Sequence, residues 1–154
     1  HPLNLTRFAP AGIVENCAVY VTTSTSSFDN ASISARYGTT VRRCSIPNVA
    51  SAGVFAAGNA PVEDCQISQC ARGVAASQFA GGITLIEGNE FNDCTGTAID
   101  LPARKRMVIG NRLRGNAANI NANANATVVL GEVVVCGPGT LPAAAANPTA
   151  SLVW

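Results

Sequence analysis

Large rings, charge and histidine are all scarce in this chain of 154 residues. Phe, Tyr and Trp together make up 5% of it, charged residues 12%, and the one His stands at position 1. That charge content is about half of the usual quarter, and the formal net charge is only +1. Neither nucleic acid nor an anionic membrane is implied as a partner, because no large field of one sign exists to hold it. No apolar run is long enough to cross a bilayer, and no signal-peptide pattern opens the chain. The start at His1, without Met, reads as a processed or excised terminus, so a cleaved export signal stays open. The six cysteines form no Cys-x-x-Cys and have no internal His for company. No zinc site, and no other metal or cofactor, is expected. Helical periodicity is missing as well: no segment sustains it beyond a turn or two.

What the chain does have is self-similarity. An apolar residue, a Cys or Asn three positions on, and a second apolar residue two further recur along it. The copies are Val41-Cys44-Ile46, Val62-Cys65-Ile67, Ile86-Asn89-Phe91 and Val108-Asn111-Leu113. Val14-Cys17-Val19 stands upstream and Val129-Glu132-Val134 downstream. Their starts are separated by 27, 21, 24, 22 and 21 residues. The longer first interval matches a polar insertion, "TTSTSSFDNAS", at 22–32. In the same phase come Cys70, Cys94 and Asn116, then Gly53-Val54, Gly73-Val74, Ala98-Ile99 and Asn119-Ile120. Short stretches of β alternation separated by tight corners cannot bury an apolar face alone, so each unit must stack on its neighbours.

The stretches "VEDCQISQCARGV", "LIEGNEFNDCTGTAI" and "VIGNRLRGNAANI" resemble the right-handed parallel β-helix repeat family, the pectate-lyase-like architecture. The resemblance implies an all-β fold: a short single-stranded right-handed parallel β-helix of about six rungs with irregular terminal arms. The expected boundaries are an N-terminal arm at 1–12, the β-helix at 13–136 and a Pro/Ala-rich arm at 137–154. A narrow channel of stacked small and branched side chains also explains the 47% apolar content with so few rings. The fold alone does not assign an activity.

Stacking the copies places Glu15, Arg42, Glu63 and Glu87 in one column, and Asn16, Arg43, Asp64 and Gly88 in the next. Arg42 is then expected beside Glu63, Arg43 beside Asp64, and Glu90 beside Arg112, one rung apart at about 4.8 Å. Cys17, Cys44 and Cys65 share a corner column with Asn89 and Asn111, and Cys70 and Cys94 one with Asn116. Both a buried thiol ladder and inter-rung disulfides fit that spacing.

In enzymes of the resembling architecture, catalysis usually lies on an outward-facing sheet. The best candidate follows the Gly-Val and Ala-Ile positions, with Val54, Val74, Ile99 and Ile120 inward. Its outward positions are Phe55, Ala57, Ala75, Ser77, Asp100, Asn121, Asn123 and Asn125, of which only Asp100 ionises. Glycosidic hydrolysis normally uses two carboxylates, so no catalytic residue is assigned. Asp100, Asn121, Asn123 and Asn125 make a weak binding candidate, for which the partner would be a glycan. Arg104, Lys105 and Arg106 form a basic patch expected at a turn between rungs, a further weak binding candidate whose partner would be an anionic glycan or an acidic neighbour.

The ends carry apolar residues outside the repeat: Leu3, Leu5 and Phe8 at one, Leu152, Val153 and Trp154 at the other. With Val134 and Val135 of the last copy, these are the expected assembly residues. An open solenoid end recruits other chains unless it is covered. The leading expectation is a structural extracellular or cell-surface protein whose partner is itself, as an oligomer or a head-to-tail fibre. The alternative is a carbohydrate-binding or polysaccharide-cleaving domain of a longer protein.

Overall fold

The computed structural model describes residues 11–19, 31–77, 82–102, 104–123, 126–131, 133–136 and 151–153. Every regular element among them is a β-strand, and every pairing is parallel. A partial first coil holds β1 (Ile13–Glu15) and β2 (Ala31–Arg36). Four complete turns follow. They are β3 (Thr40–Arg42), β4 (Ser45–Pro47) and β5 (Ala52–Ala57); then β6 (Val62–Glu63), β7 (Gln66–Ser68) and β8 (Arg72–Ala76). The third is β9 (Thr84–Glu87), β10 (Glu90–Asn92) and β11 (Thr97–Leu101). The fourth is β12 (Arg104–Ile109), β13 (Asn111–Arg114) and β14 (Ala118–Ala122). β15 (Ala126–Leu130) and β16 (Val133–Cys136) begin another coil, and β17 (Ser151–Val153) comes last.

Each coil contributes one strand to each of three sheets. The first runs β1-β3-β6-β9-β12-β15, the second β4-β7-β10-β13-β16-β17, and the third β2-β5-β8-β11-β14. Counting motif copies overstates the turns as six, because among the described residues the first and last copies each lack a full strand in one sheet. The insertion also ends sooner than expected: Ala31 and Ser32 already belong to β2, opposite the Ala52-Gly53 step.

Residues with positive φ turn the corners. Between the first and second sheets stand Asn16, Arg43, Asp64, Gly88 and Gly110, with φ of 55°, 51°, 51°, 66° and 63°. Between the second and third stand Asn48, Gln69, Asp93 and Gly115, at 57°, 53°, 53° and 63°. Left-handed backbone disfavours most side chains, which accounts for the Asn, Asp and Gly enrichment. The next residue in each corner points inward, and those residues are Cys and Asn with few exceptions.

The core is the stack of inward columns. Val14, Val41, Val62, Ile86 and Val108 are buried in one, and Ile46, Ile67, Phe91 and Leu113 in another, in the expected register. The last copy is read one residue out. Val108 pairs with Leu130, Asn111 with Val133 and Leu113 with Val135, so Val129 faces outward and is 44% exposed. A one-residue slip exchanges the two faces of a strand, and the run Val128-Val129-Leu130 is apolar on both.

The corner Asn residues bind rung to rung. Asn111 Oδ1 accepts from the backbone N of Asn89 at 3.0 Å, while Asn111 Nδ2 donates to Ile86 O at 2.8 Å. Asn89 does the same one coil earlier, taking Cys65 N at 2.9 Å and giving to Val62 O at 2.9 Å. In the other column Asn116 accepts from Cys94 N at 2.9 Å. The cysteines in these columns are weaker equivalents: Cys65 Sγ donates to Glu63 O and Cys70 Sγ to Ser68 O. All six cysteines are free thiols. Burial, the largest cause, pushes the Cys65 thiol up to about 12 and that of Cys70 to about 11, and raises Cys44 and Cys94 as well.

Candidate functional site

The third sheet places its inward residues as expected: Val54, Val74 and Ile99 are completely buried and Ile120 nearly so. Its outer face splits into two halves. Over the first three strands Ala31, Ala52, Phe55, Ala57 and Ala75 form a second, small buried apolar cluster. The Arg36 guanidinium stands 5.5 Å from the Phe55 ring centroid, a cation–π contact. That half is therefore not the open surface expected of it.

The polar half begins where Asp100 replaces Ala75 in the outward column. Asp100 Oδ1 accepts from Asn121 Nδ2 at 2.9 Å. Its other oxygen lies 3.6 Å from Arg72 Nη1. The three side chains make a short ladder across β8, β11 and β14. Asn121 is exposed, and so is Asn123, whose backbone N donates to Leu101 O at 3.1 Å and whose carbonyl receives Ala126 N at 2.8 Å. Asn125 lies outside the described residues, as do Leu3, Leu5, Phe8 and Trp154. Arg72 was absent from the candidates. Its signal is its place directly before Gly73-Val74, which puts it in the outward column of Thr97.

The basic patch does not exist as a turn. Arg104, Lys105 and Arg106 all belong to β12, opposite Ala126, Thr127 and Val128. Strand alternation leaves Lys105 exposed and turns Arg106 inward, where it is 2% exposed. Arg106 Nη2 donates to Ser77 O at 2.7 Å, and Nη1 to Lys105 O at 2.9 Å and Gly82 O at 3.3 Å. It ties the stretch leaving the third sheet to the strand that re-enters the first, and is unavailable to a ligand.

The charge columns are also corrected in part. Glu90 and Arg112 pair as expected, at 3.4 Å. Arg42 stands opposite Glu63 as expected, but the guanidinium groups of Arg42 and Arg43 both pair with Glu15. Glu63 stands directly opposite Glu87, so like charges adjoin there instead of alternating. At the C-terminal end Val135 is buried and Val134 half-buried, and β17 sets Val153 opposite Val135 and Leu152 opposite Val134.

Chemically, the outward strip offers one carboxylate among its described positions, held by a cation and an amide. Among the described residues no group of three or more His, Cys, Asp or Glu side chains is placed to hold a metal, and no helix is long and apolar enough to cross a membrane. The model of the family described as "Right handed beta helix region" matches residues 6–133. The chain belongs to that family. No curated protein and no solved structure matches it. The family accounts for the parallel solenoid and for the corner columns; it fits a structural or a carbohydrate-related role equally.

Proposed function

We propose that this chain is a structural β-helix module, extracellular or on the cell surface, that associates with itself end to end. The observation that carries the reading is β17. It continues the second sheet in register beyond β16, so residues 151–153 add one strand beyond the last coil. A strand has two edges, and β17 ends the order of its sheet. At the other end, among the described residues, that sheet finishes at β4 and the bridge from Ala18 to Ser45. A second copy stacked head to tail would lay its first coil on β17 and prolong the parallel ladder. Inward columns match across such a junction, since Val14 and Leu130, and Ile33 and Ile120, occupy the same columns of their sheets. A head-to-tail contact that does not close forms a filament.

Removing residues 137–154 should abolish species larger than the monomer in sedimentation velocity and negative-stain images, with the β circular dichroism retained. A full-length chain that stays monomeric at millimolar concentration would overturn the proposal. The polar ladder of Arg72, Asp100 and Asn121 supports a second reading, glycan binding on the outer face of the third sheet, which titration calorimetry with oligosaccharides would test.

A further inference from the structure

The corner column between the first and second sheets begins with three thiols on three successive coils. The bridge from Ala18 to Ser45 sets Cys17 opposite Cys44, and Ser45 N donates to Cys17 O at 2.9 Å. Cys65 follows one coil later, where Gln66 N donates to Cys44 O at 2.9 Å. In-register residues of parallel strands lie about 4.8 Å apart, inside the roughly 4.4–6.8 Å that a disulfide spans between α-carbons. The side chains lean along the column. Cys44 Sγ points back to Val14 O, 3.7 Å away in the first coil, and Cys65 Sγ to Val41 O, 3.8 Å away in the second. All three are free thiols in the structure.

Access and stiffness distinguish the pair Cys17–Cys44 from the pair Cys44–Cys65. Cys17 is half-buried, whereas Cys44 and Cys65 are 2% and 1% exposed, so an oxidant in solution meets Cys17 first. A disulfide also draws the two β-carbons to about 3.8 Å, closer than the coil spacing, so one coil must shift by about 1 Å. Among the described residues the first coil is held from one side, since β1 and β2 each end the order of their sheets. The coil of Cys65 is paired on both sides.

We infer that Cys17 and Cys44 form an oxidisable pair, in which Cys17 meets a small-molecule disulfide such as oxidised glutathione and Cys44 resolves the adduct. The Cys17 thiolate attacks one sulfur of the reagent and expels one glutathione thiolate, leaving a mixed disulfide. Cys44 then loses its proton, attacks Cys17 Sγ and expels the second glutathione thiolate. The two thiolates take up the two protons released, so two protein thiols are oxidised and one glutathione disulfide is reduced to two glutathiones. Exchange needs a thiolate. Burial keeps Cys65 protonated to about 12, which prevents it from attacking Cys44 and carrying the bond inward. Burial raises Cys44 as well; that slows the resolving step, and the fixed place of Cys44 beside Cys17 offsets it. The bond ties the singly held first coil to the second, and its formation does not depend on end-to-end association.

The test uses the full-length chain carrying Cys136→Ser, which removes the exposed thiol. The folded protein is incubated with oxidised glutathione at pH 8, quenched with acid, unfolded and alkylated. Digestion after Arg and Glu then places Cys17, Cys44 and Cys65 on separate peptides. The expected product links residues 16–36 to 44–63 and leaves Cys65, Cys70 and Cys94 alkylated. It melts about 5 °C above the reduced chain. Cys17→Ser should lose both the link and the shift while melting, when reduced, close to the parent; Cys17→Ala serves if circular dichroism shows that the serine variant does not fold. Alkylation of both Cys17 and Cys44 after oxidation, a lasting glutathione adduct on Cys17, or a bond between Cys44 and Cys65 would each overturn the pairing.

Discussion

Phe91 lies against the bare α-carbon of Gly73. A Cβ built on Gly73 would come within 2.5 Å of Phe91 Cδ1 and 2.7 Å of Cε1, and would also press on the backbone carbonyl of Ala98. Phe91 occupies a column otherwise filled by Ile46, Ile67, Leu113 and Val135, so its ring needs room that branched side chains do not. The room comes from the small-residue corner position of the third sheet, and a Cβ on neighbouring Gly53 would be less confined, at 2.9 Å from the Gly73 carbonyl and 3.1 Å from Ile67. Gly73→Ala should destabilise the protein by about 1–3 kcal/mol, as overpacking does. Adding Phe91→Leu should recover part of the loss and not all, since the clash with Ala98 is with backbone. Urea unfolding of the two singles and the double measures the coupling.

The Asn ladder predicts an asymmetry between its two residue types. Asn111→Ala removes the acceptor of the Asn89 backbone N–H and the donors to Ile86 and Ile109 carbonyls, all inside the solenoid. Leaving such groups without partners costs about 1–3 kcal/mol. Cys65→Asn, by contrast, puts into the column the residue found one coil later, and should change stability by less than about 1 kcal/mol. A loss at Cys65→Asn as large as that at Asn111→Ala would contradict the equivalence of the two positions.

The buried thiols make stability fall at alkaline pH. Cys65 keeps its proton to about 12 in the folded chain, against a reference near 9.0. The folded-state value is raised, so the unfolded state binds fewer protons above pH 9. The thiol's contribution is fully present below pH 9 and is lost as pH rises from there towards 12. At pH 10.5 Cys65 alone lowers stability by about 2 kcal/mol relative to pH 8. Cys70 acts in the same direction over the window from 9 to about 11. Chemical unfolding at pH 8 and 10.5 should show the slope, and Cys65→Asn should flatten it.

The sequence disclosed the solenoid because two signals coincide at most corners, Arg43 and Gln69 being the left-handed exceptions. A left-handed corner selects Asn, Asp or Gly, and the next position selects a compact Cys or Asn, so Asp64-Cys65 and Gly88-Asn89 announce the same bend. Where those signals fail the reading slips. After Leu130 the corner column holds Val133, and nothing distinguishes the inward valine from its neighbours. Arg106 was misplaced because three adjacent cations look like solvent-exposed loop, although it stands two residues before inward Val108 and must share its face. The outward column of Leu85, Met107 and Val129 on the first sheet was hidden for the opposite reason. Each precedes an inward residue, and apolar neighbours on both faces blur the alternation. Arg72 and Asp100 are 28 residues apart in sequence, and only the register of β8 on β11 brings them together.

That register also decides what Asp100 can do. Its carboxylate is held between Asn121 and Arg72 on the outer face of the third sheet, and its side chain is 21% exposed. A general acid needs a second carboxylate across the substrate to act as base or nucleophile, and the neighbouring outward positions are Ala75 and Asn121. The ion pair with Arg72 is long and partly hydrated, worth about 0–1 kcal/mol. Asp100→Ala should therefore cost at most about 1 kcal/mol in urea unfolding and leave any polysaccharide-degrading activity of the purified chain unchanged. If the outer face binds a glycan without cleaving it, the same substitution should weaken binding in titration calorimetry, because it releases Asn121 and Arg72 from fixed positions. Asn121→Ala should do the same through the other half of the contact. Cleavage of a polyuronate or another glycan that disappears with Asp100→Ala would instead place this residue in a catalytic centre, and would put the carbohydrate reading ahead of the structural one.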